Sequence, residues 1–319
     1  MQEEQYIGRW LSRPLRCGGG LAVFSRLWEI TMSRVIRLGL VQCHSDLGTE
    51  SFDPREKNLA RALDHIKDAS AKGVNLLVFG ELYLTGYRTD EWLHRWATRL
   101  DPPDLHVEAL IEAARGYGMH LIMGMATHGQ FMPGDIYNSS VLIGPPGLIG
   151  VYRKIHVAGF PYSQGISVER CFYSPGNELP VFDTALGKIG LHICYDLTYP
   201  EVVRTLVLKG AELVINSSAT VCGMETYVQH AMFTRAVENS TWLAICSVVG
   251  DQRGDQLVGG SRVLDPNGRV AGIAGENVDA VVIADVDLDL TRPVRSKMHS
   301  FSVRQPDLYA PIVEPVPYP

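Results

Sequence analysis

The sequence predicts an α/β fold made of two similar halves. Three observations carry that prediction: apolar runs of strand length alternate with longer stretches of helical period, glycines stop the helical stretches, and the alternation appears in both halves of the chain. The first strand is expected at Val35 to Gln42 (VIRLGLVQ), which is β-branched and partly alternating. A helix follows over Asn58 to Lys72, where Leu59, Ala62, Leu63, Ile66 and Ala69 recur at helical spacing and Gly73 marks the stop. Val74 to Phe79 (VNLLVF) makes the next strand, Leu105 to Tyr117 the next helix ahead of Gly118, and His120 to Met125 (HLIMGM) a third strand. Two strand-helix-strand steps in succession point to layers of parallel sheet and helix. Tyr137 to Ile143 and Leu148 to Tyr152 flank Pro145-Pro146-Gly147 as a hairpin. The second half repeats the scheme with a strand at Lys188 to Cys194, a helix at Pro200 to Lys209 and a strand at Glu212 to Asn216. A helix at Tyr227 to Asn239, a strand at Thr241 to Val248 and a hairpin at Gly260 to Val270 complete it. The resulting picture is two β-rich layers inside helical layers.

Composition narrows the function classes. The 319 residues, 46% hydrophobic and 20% charged, match a folded globular chain, and one large domain over 32–290 is expected. Lys plus Arg number 29 against 35 Asp plus Glu, a balance of −6, and the basic residues are scattered, which argues against a nucleic-acid partner. No apolar run approaches the roughly 18 to 20 residues that cross a bilayer, so no membrane partner is expected. The six cysteines are widely spaced without a Cys-x-x-Cys pair, which fits reduced thiols in a cytoplasmic setting. Sequons at Asn138, Asn216 and Asn239 carry no weight without a secretory leader. Residues 1–31, with four arginines and a Gly18-Gly19-Gly20 run, read as an extension, mobile or arising from a start placed too far upstream. Packing of that segment against another subunit is the alternative. Residues 291–319, rich in Pro and Arg and without helical period, read as a tail that is exposed or serves as a subunit-interface arm.

Three reactive residue types stand at three strand ends, the arrangement a hydrolytic site needs. Cys194 closes KIGLHIC ahead of Pro200, at a strand-to-helix junction where a helix N-terminus lowers a thiol pKa and backbone N–H groups meet an oxyanion. Its alternative is a buried structural cysteine. Glu81 follows VNLLVFG, where open α/β sheets place their ligand crevice, and Lys154 ends the strand before Ile155-His156. Taken singly, each also reads as a solvated surface residue. His192 shares a strand face with Cys194 but is expected as a core histidine. The ten histidines form no His-x-x-x-His pair, and no metal site is expected.

Read together, these residues resemble the carbon-nitrogen hydrolases of the nitrilase superfamily, from about Val35 to Tyr309. The resemblance rests on Phe79-Gly80-Glu81-Leu82 with Thr85-Gly86-Tyr87, on Tyr152-Arg153-Lys154-Ile155-His156, and on His192-Ile193-Cys194-Tyr195-Asp196 with Tyr199-Pro200-Glu201. Tyr137-Asn138-Ser139, Ser174-Pro175-Gly176, Asn216-Ser217-Ser218-Ala219 and Arg235-Ala236-Val237-Glu238-Asn239 support it in the same order. The resemblance implies a four-layer αββα sandwich and a Glu-Lys-Cys triad. In it Cys194 is the nucleophile, Glu81 the general base, and Lys154 the cation for the tetrahedral oxyanion, aided by the Tyr195 backbone N–H. A second glutamate that many members carry is assigned to Glu169, six residues before Pro175, in preference to Glu178. Neither cofactor nor metal is implied, water is the second substrate, and a homodimer or higher homo-oligomer is expected.

Tyr195-Asp196 after the nucleophile looks like the amidase and carbamoylase branches, whereas nitrile-cleaving members usually carry Trp-Glu there. The expected activity is hydrolysis of a small carboxamide or N-carbamoyl compound through a cysteine thioester. Nitrile hydrolysis and a non-catalytic assembly role are the alternatives. Leu197 and Thr198 stand where carbamoylases usually have arginines that hold a substrate carboxylate, which favours a neutral or amine-bearing substrate.

Overall fold

The structure is a computed structural model that describes residues 34–315 except 88, 91, 131, 133, 160, 163, 164 and 253. The expected 1–31 extension therefore lies outside the described residues. In chain order the first half contains β1 (Val35–Gln42), α1 (Pro54–Ala71), β2 (Leu76–Phe79), α2 (Leu93–Trp96), α3 (Leu105–Tyr117), β3 (His120–His128), β4 (Ile136–Gly144) and β5 (Gly147–Arg153). A small hairpin, β6 (Pro161–Tyr162) and β7 (Gly165–Ile166), leads to β8 (Val181–Thr184), β9 (Gly187–Ile193), α4 (Pro200–Leu208), β10 (Leu213–Ser218), α5 (Glu225–Asn239) and β11 (Trp242–Ser247). The chain then runs through β12 (Val249–Gln252), β13 (Asp255–Val258), β14 (Arg262–Leu264), β15 (Val270–Ile273), β16 (Ala280–Asp287) and α6 (Thr291–Met298).

Two six-stranded sheets result, ordered β16-β1-β2-β3-β4-β5 and β15-β14-β11-β10-β9-β8. Each has three adjacent parallel strands, β1-β2-β3 in one and β9-β10-β11 in the other, flanked by antiparallel strands. Side-chain alternation decides what covers each face. Leu76 and Val78 of β2 join Leu38 and Leu40 in a core shared with Leu191, Ile193, Leu213 and Ile215 of the other sheet. The intervening Leu77 and Phe79 face Ala62 and Ile66 of α1 and Val107 and Leu110 of α3. On the far side, Val214 and Leu243 meet Val203 and Leu206 of α4 and Met232 of α5. The architecture is the αββα sandwich.

Local chemistry explains the helix limits. Asp53 accepts the Arg55 N–H and is followed by Pro54 at the first turn of α1. Asp104 accepts N–H bonds from His106 and Val107 to cap α3, whose end is Gly118 at φ +61. The tail departs from expectation at its start: residues 291–298 form α6, with Thr291 and Val294 buried. Its Pro293 stands in the first turn, where a missing N–H has no intrahelical partner to lose. Among the described residues no helix is long and apolar enough to cross a membrane. Asn138, Asn216 and Asn239 are buried, so none of the three sequons presents a modifiable side chain.

Candidate active site

Glu81 sits one residue beyond the Gly80 that follows β2, and it is 1% exposed. Its turn is tight: Leu82 has φ +53, a left-handed conformation that costs a non-glycine residue on the order of 1–3 kcal/mol. The turn lies directly on β3. A Cβ on Gly124 would stand 2.0 Å from the Gly80 carbonyl oxygen and 2.7 Å from the Leu82 nitrogen, so only glycine lets β3 pass there.

Lys154, 1% exposed, follows β5 and donates from Nζ to Glu81 Oε1 at 2.8 Å and to Glu169 Oε2 at 2.8 Å and Oε1 at 3.0 Å. Glu169 Oε2 also accepts the Ala158 N–H at 2.9 Å. Asn138, on β4, donates at 2.8 Å to both Glu81 and Glu169, bridging the two carboxylates. Gly176 presses against the lysine's backbone, its N–H on the Lys154 carbonyl at 2.8 Å. Burial pulls the Lys154 ammonium down, but the Glu169 and Glu81 carboxylates outweigh it and hold it well above its usual value. Burial lifts Glu81 above the usual carboxylate range; Lys154 draws it back and Glu169 pushes it up. Glu178, the other candidate for the second glutamate, is exposed.

Cys194 departs from the sequence expectation in two ways. The strand ends at Ile193, and Cys194 opens a short 3-10 turn over Cys194–Thr198 at φ +42, like Leu82 a non-glycine residue in the left-handed region. The thiol is raised, not lowered: burial comes first and Glu81 second, together outweighing Lys154 and the Ala219 N–H, and the thiol stands at about 12. The helix expected to lower it begins only at Pro200. His192 behaves as a core residue. It is fully buried, its Nδ1 accepts a hydrogen bond from Asn216 Nδ2 at 2.7 Å, and it is pushed down to about 4 by burial.

Sequence reasoning passed over Asp196. Its carboxylate is fully buried and receives the Tyr152 O–H at 2.6 Å, the Ile193 N–H at 3.0 Å and the His156 N–H at 3.0 Å, with His156 Nδ1 at 2.8 Å. It thereby ties the residues on either side of Lys154 to the turn that carries Cys194. Asn138 was visible only as part of a motif, because its bridging role requires the chain to bring residues 57 and 31 positions apart to one amide.

Cys194, Tyr195 and Lys154 line one cavity of about 350 Å³. Glu81, Lys154 and Glu169 all act electrostatically on the thiol. Tyr195 packs its ring edge-on to Tyr199 at 5.5 Å. The wall is mostly apolar, with Leu197, Val221, Met224, Tyr227 and Leu257, and Thr198 and Asp255 among its polar groups. No group of three or more His, Cys, Asp or Glu side chains among the described residues is placed to hold a metal ion.

A profile of the carbon-nitrogen hydrolases matches residues 37–296. The chain belongs to that family. It is 36% identical to a protein named nitrilase from Pyrococcus abyssi over 244 residues, covering 75% of this chain and 87% of the relative. Among solved structures it resembles Saccharomyces cerevisiae Nit3, a member of branch 10 of the nitrilase superfamily, with TM-score 0.75, 26% identity and coverage of 85% and 96% of the two chains. It also resembles a mutant amidase from Nesterenkonia sp. AN1 with acrylamide added at its active-site cysteine, with TM-score 0.68, 26% identity and coverage of 83% and 98%. As a carbon-nitrogen hydrolase of the nitrilase superfamily, the chain is an enzyme, and its candidate site brings Glu81 and Lys154 into hydrogen-bond contact and Lys154 and Cys194 onto one cavity.

Proposed function

We propose that this hydrolase cleaves a small carboxamide or N-carbamoyl compound without a free carboxylate, through a thioester on Cys194. The observation that carries the reading is the convergence of Cys194 and Lys154 on one cavity, with Glu81 and Glu169 both bonded to the lysine. Glu81 takes the Cys194 proton as Sγ attacks the carbonyl carbon, a coupled step that a thiol at about 12 requires. Lys154 has three N–H bonds; one reaches Glu81, one is shared by the two oxygens of Glu169, and the third is left for the tetrahedral oxyanion, with the Tyr195 N–H beside it. Glu81 passes its proton to the leaving nitrogen, and ammonia or an amine departs. Water then attacks the thioester, gives a proton to Glu81, and the acid leaves as Cys194 is reprotonated. Glu169 and Asn138 hold Lys154 and Glu81 in place throughout.

The cavity wall supports this substrate class. Lys154 is the one cation among the described lining residues and is already engaged by two carboxylates, while Asp255 adds a further acid. A substrate carboxylate would find no free positive partner among these residues and would be desolvated without compensation. An uncharged or amine-bearing molecule with an apolar chain fits better.

Ammonia release over a panel of neutral amides, N-carbamoyl amines, N-carbamoyl amino acids, monoamides of dicarboxylic acids, and nitriles tests this. Neutral amides or N-carbamoyl amines should turn over, with kcat/KM at least about tenfold above their carboxylate-bearing analogues. A preference for the carboxylate-bearing compounds would overturn the substrate assignment. The Pyrococcus abyssi relative's name makes nitrile hydrolysis the second reading, and turnover confined to the nitriles would establish it.

A further inference from the structure

A second cavity, of about 470 Å³, opens where α2 passes the N-terminal ends of α1 and α3, and among the described residues it shares no lining residue with the Cys194 cavity. Among the described residues, Arg55, Arg95, Arg99, His106 and His128 line it, against one acid, Asp104. That acid is already committed: Asp104 accepts the His106, Val107 and Arg99 backbone N–H groups and pairs with Arg55 at 3.5 Å. Arg55 is further held by Asp53 at 2.6 Å. Arg95 and Arg99 are exposed, and among the described residues neither guanidinium meets a carboxylate. Arg95 instead lies over the Trp96 and Trp92 rings, 4.9 and 6.0 Å from their centroids, which fixes its fork without neutralising it.

Two further observations point to a ligand. His106 is 3% exposed, its Nε2 has no hydrogen-bond partner, and its Nδ1 has Asp104 Oδ1 at 3.7 Å. A buried imidazole nitrogen without a partner carries a desolvation penalty that a ligand would offset. The field at the cavity is positive as well: after burial, His94, Arg99 and Arg55 are the groups that hold His128 below its ordinary value, and Asp104 opposes them only weakly.

We propose that this cavity binds a small oxyanion of two or more negative charges, a phosphate or a dicarboxylate, with Arg95 and Arg99 as its principal ligands and His106 completing the set. Planar guanidinium forks match such oxygens two at a time.

Isothermal titration of the full-length chain at low salt, with inorganic phosphate and separately with succinate, tests the proposal. At least one anion should bind, more weakly as salt is added, and about tenfold or more weakly to the R95Q/R99Q double variant. Binding of phosphate alone or of succinate alone names the source. Both arginines are exposed and outside the Cys194 cavity, so the double variant should keep its amide turnover, which reports that it is folded. Equal affinity in wild type and double variant would overturn the proposal, as would failure of both anions to bind the wild type at about 10 mM.

Discussion

Each of the Lys154 hydrogen-bonding contacts has a counterpart in the titration of Glu81, and that coupling can be read in a pH profile. Glu81 must be ionised to take the Cys194 proton, so kcat/KM falls as pH drops through the Glu81 pKa. Burial and then Glu169 raise that value against the pull of Lys154, so the acid limb should lie above the ordinary carboxylate range. Glu169→Gln removes a negative neighbour and leaves Lys154 to Glu81 alone. The limb should then move to lower pH while kcat falls, and a limb that stays put or rises would contradict this coupling. Asp196→Asn swaps an acceptor for a donor facing the Tyr152 O–H, the His156 N–H and the Ile193 N–H, and should cost about 3 kcal/mol of stability by urea unfolding. An unchanged midpoint would remove Asp196 from the account. At this scale the sequence showed the reactive types, because a thiol, an ammonium and a carboxylate at strand ends carry their chemistry with them. It did not show the roles of Asn138 and Asp196, which depend on side-chain partners 31 to 57 positions away.

The elements put those residues in register. β2, β5 and β9 end beside one another's turns, and the Glu81 turn clears β3 only because position 124 has no side chain. Gly124→Ala would drive a Cβ to 2.0 Å from a backbone oxygen, with no flexible neighbour to give way. We expect a loss of about 2–3 kcal/mol in urea unfolding and a larger fractional loss of kcat than of KM. Wild-type kcat in this variant would show that the Glu81 turn tolerates displacement. Helical and strand periods were legible along most of the chain: Leu105–Tyr117 forms as expected, and the hairpin about Pro145-Pro146-Gly147 closes between β4 and β5. Several elements were missed: the short α2, the strands β6, β7, β8, β12 and β13, and also β16 and α6. β16 pairs antiparallel with β1, nearly 250 residues away, a partnership no local pattern announces. α6 is 8 residues long, with a proline in its first turn, and sequence reasoning took that proline for a tail.

The whole molecule depends on one core between the sheets. Leu38, Leu76 and Val78 from the first half pack with Leu191, Leu213 and Ala244 from the second, and the Cys246 thiol donates across to the Val41 and Val78 carbonyls at 3.3 and 3.2 Å. Neither sheet can keep that face dry without the other. Urea unfolding should therefore show coincident loss of helix signal, tryptophan fluorescence and amide turnover, and a separate early transition of one half would contradict the shared core. The similarity of the two halves was visible in their repeated strand-helix order, which already suggested two β-rich layers inside helical layers; the αββα sandwich as such entered through family resemblance. The central claim is that Cys194 forms an acyl thioester during hydrolysis of a neutral amide. Intact-mass and peptide analysis of enzyme quenched during turnover, alongside ammonia release, addresses it directly. Wild-type protein should carry the acyl mass on the Cys194 peptide, and folded Cys194→Ala should release no ammonia and carry no adduct; ammonia release by that variant at the wild-type rate would contradict the account.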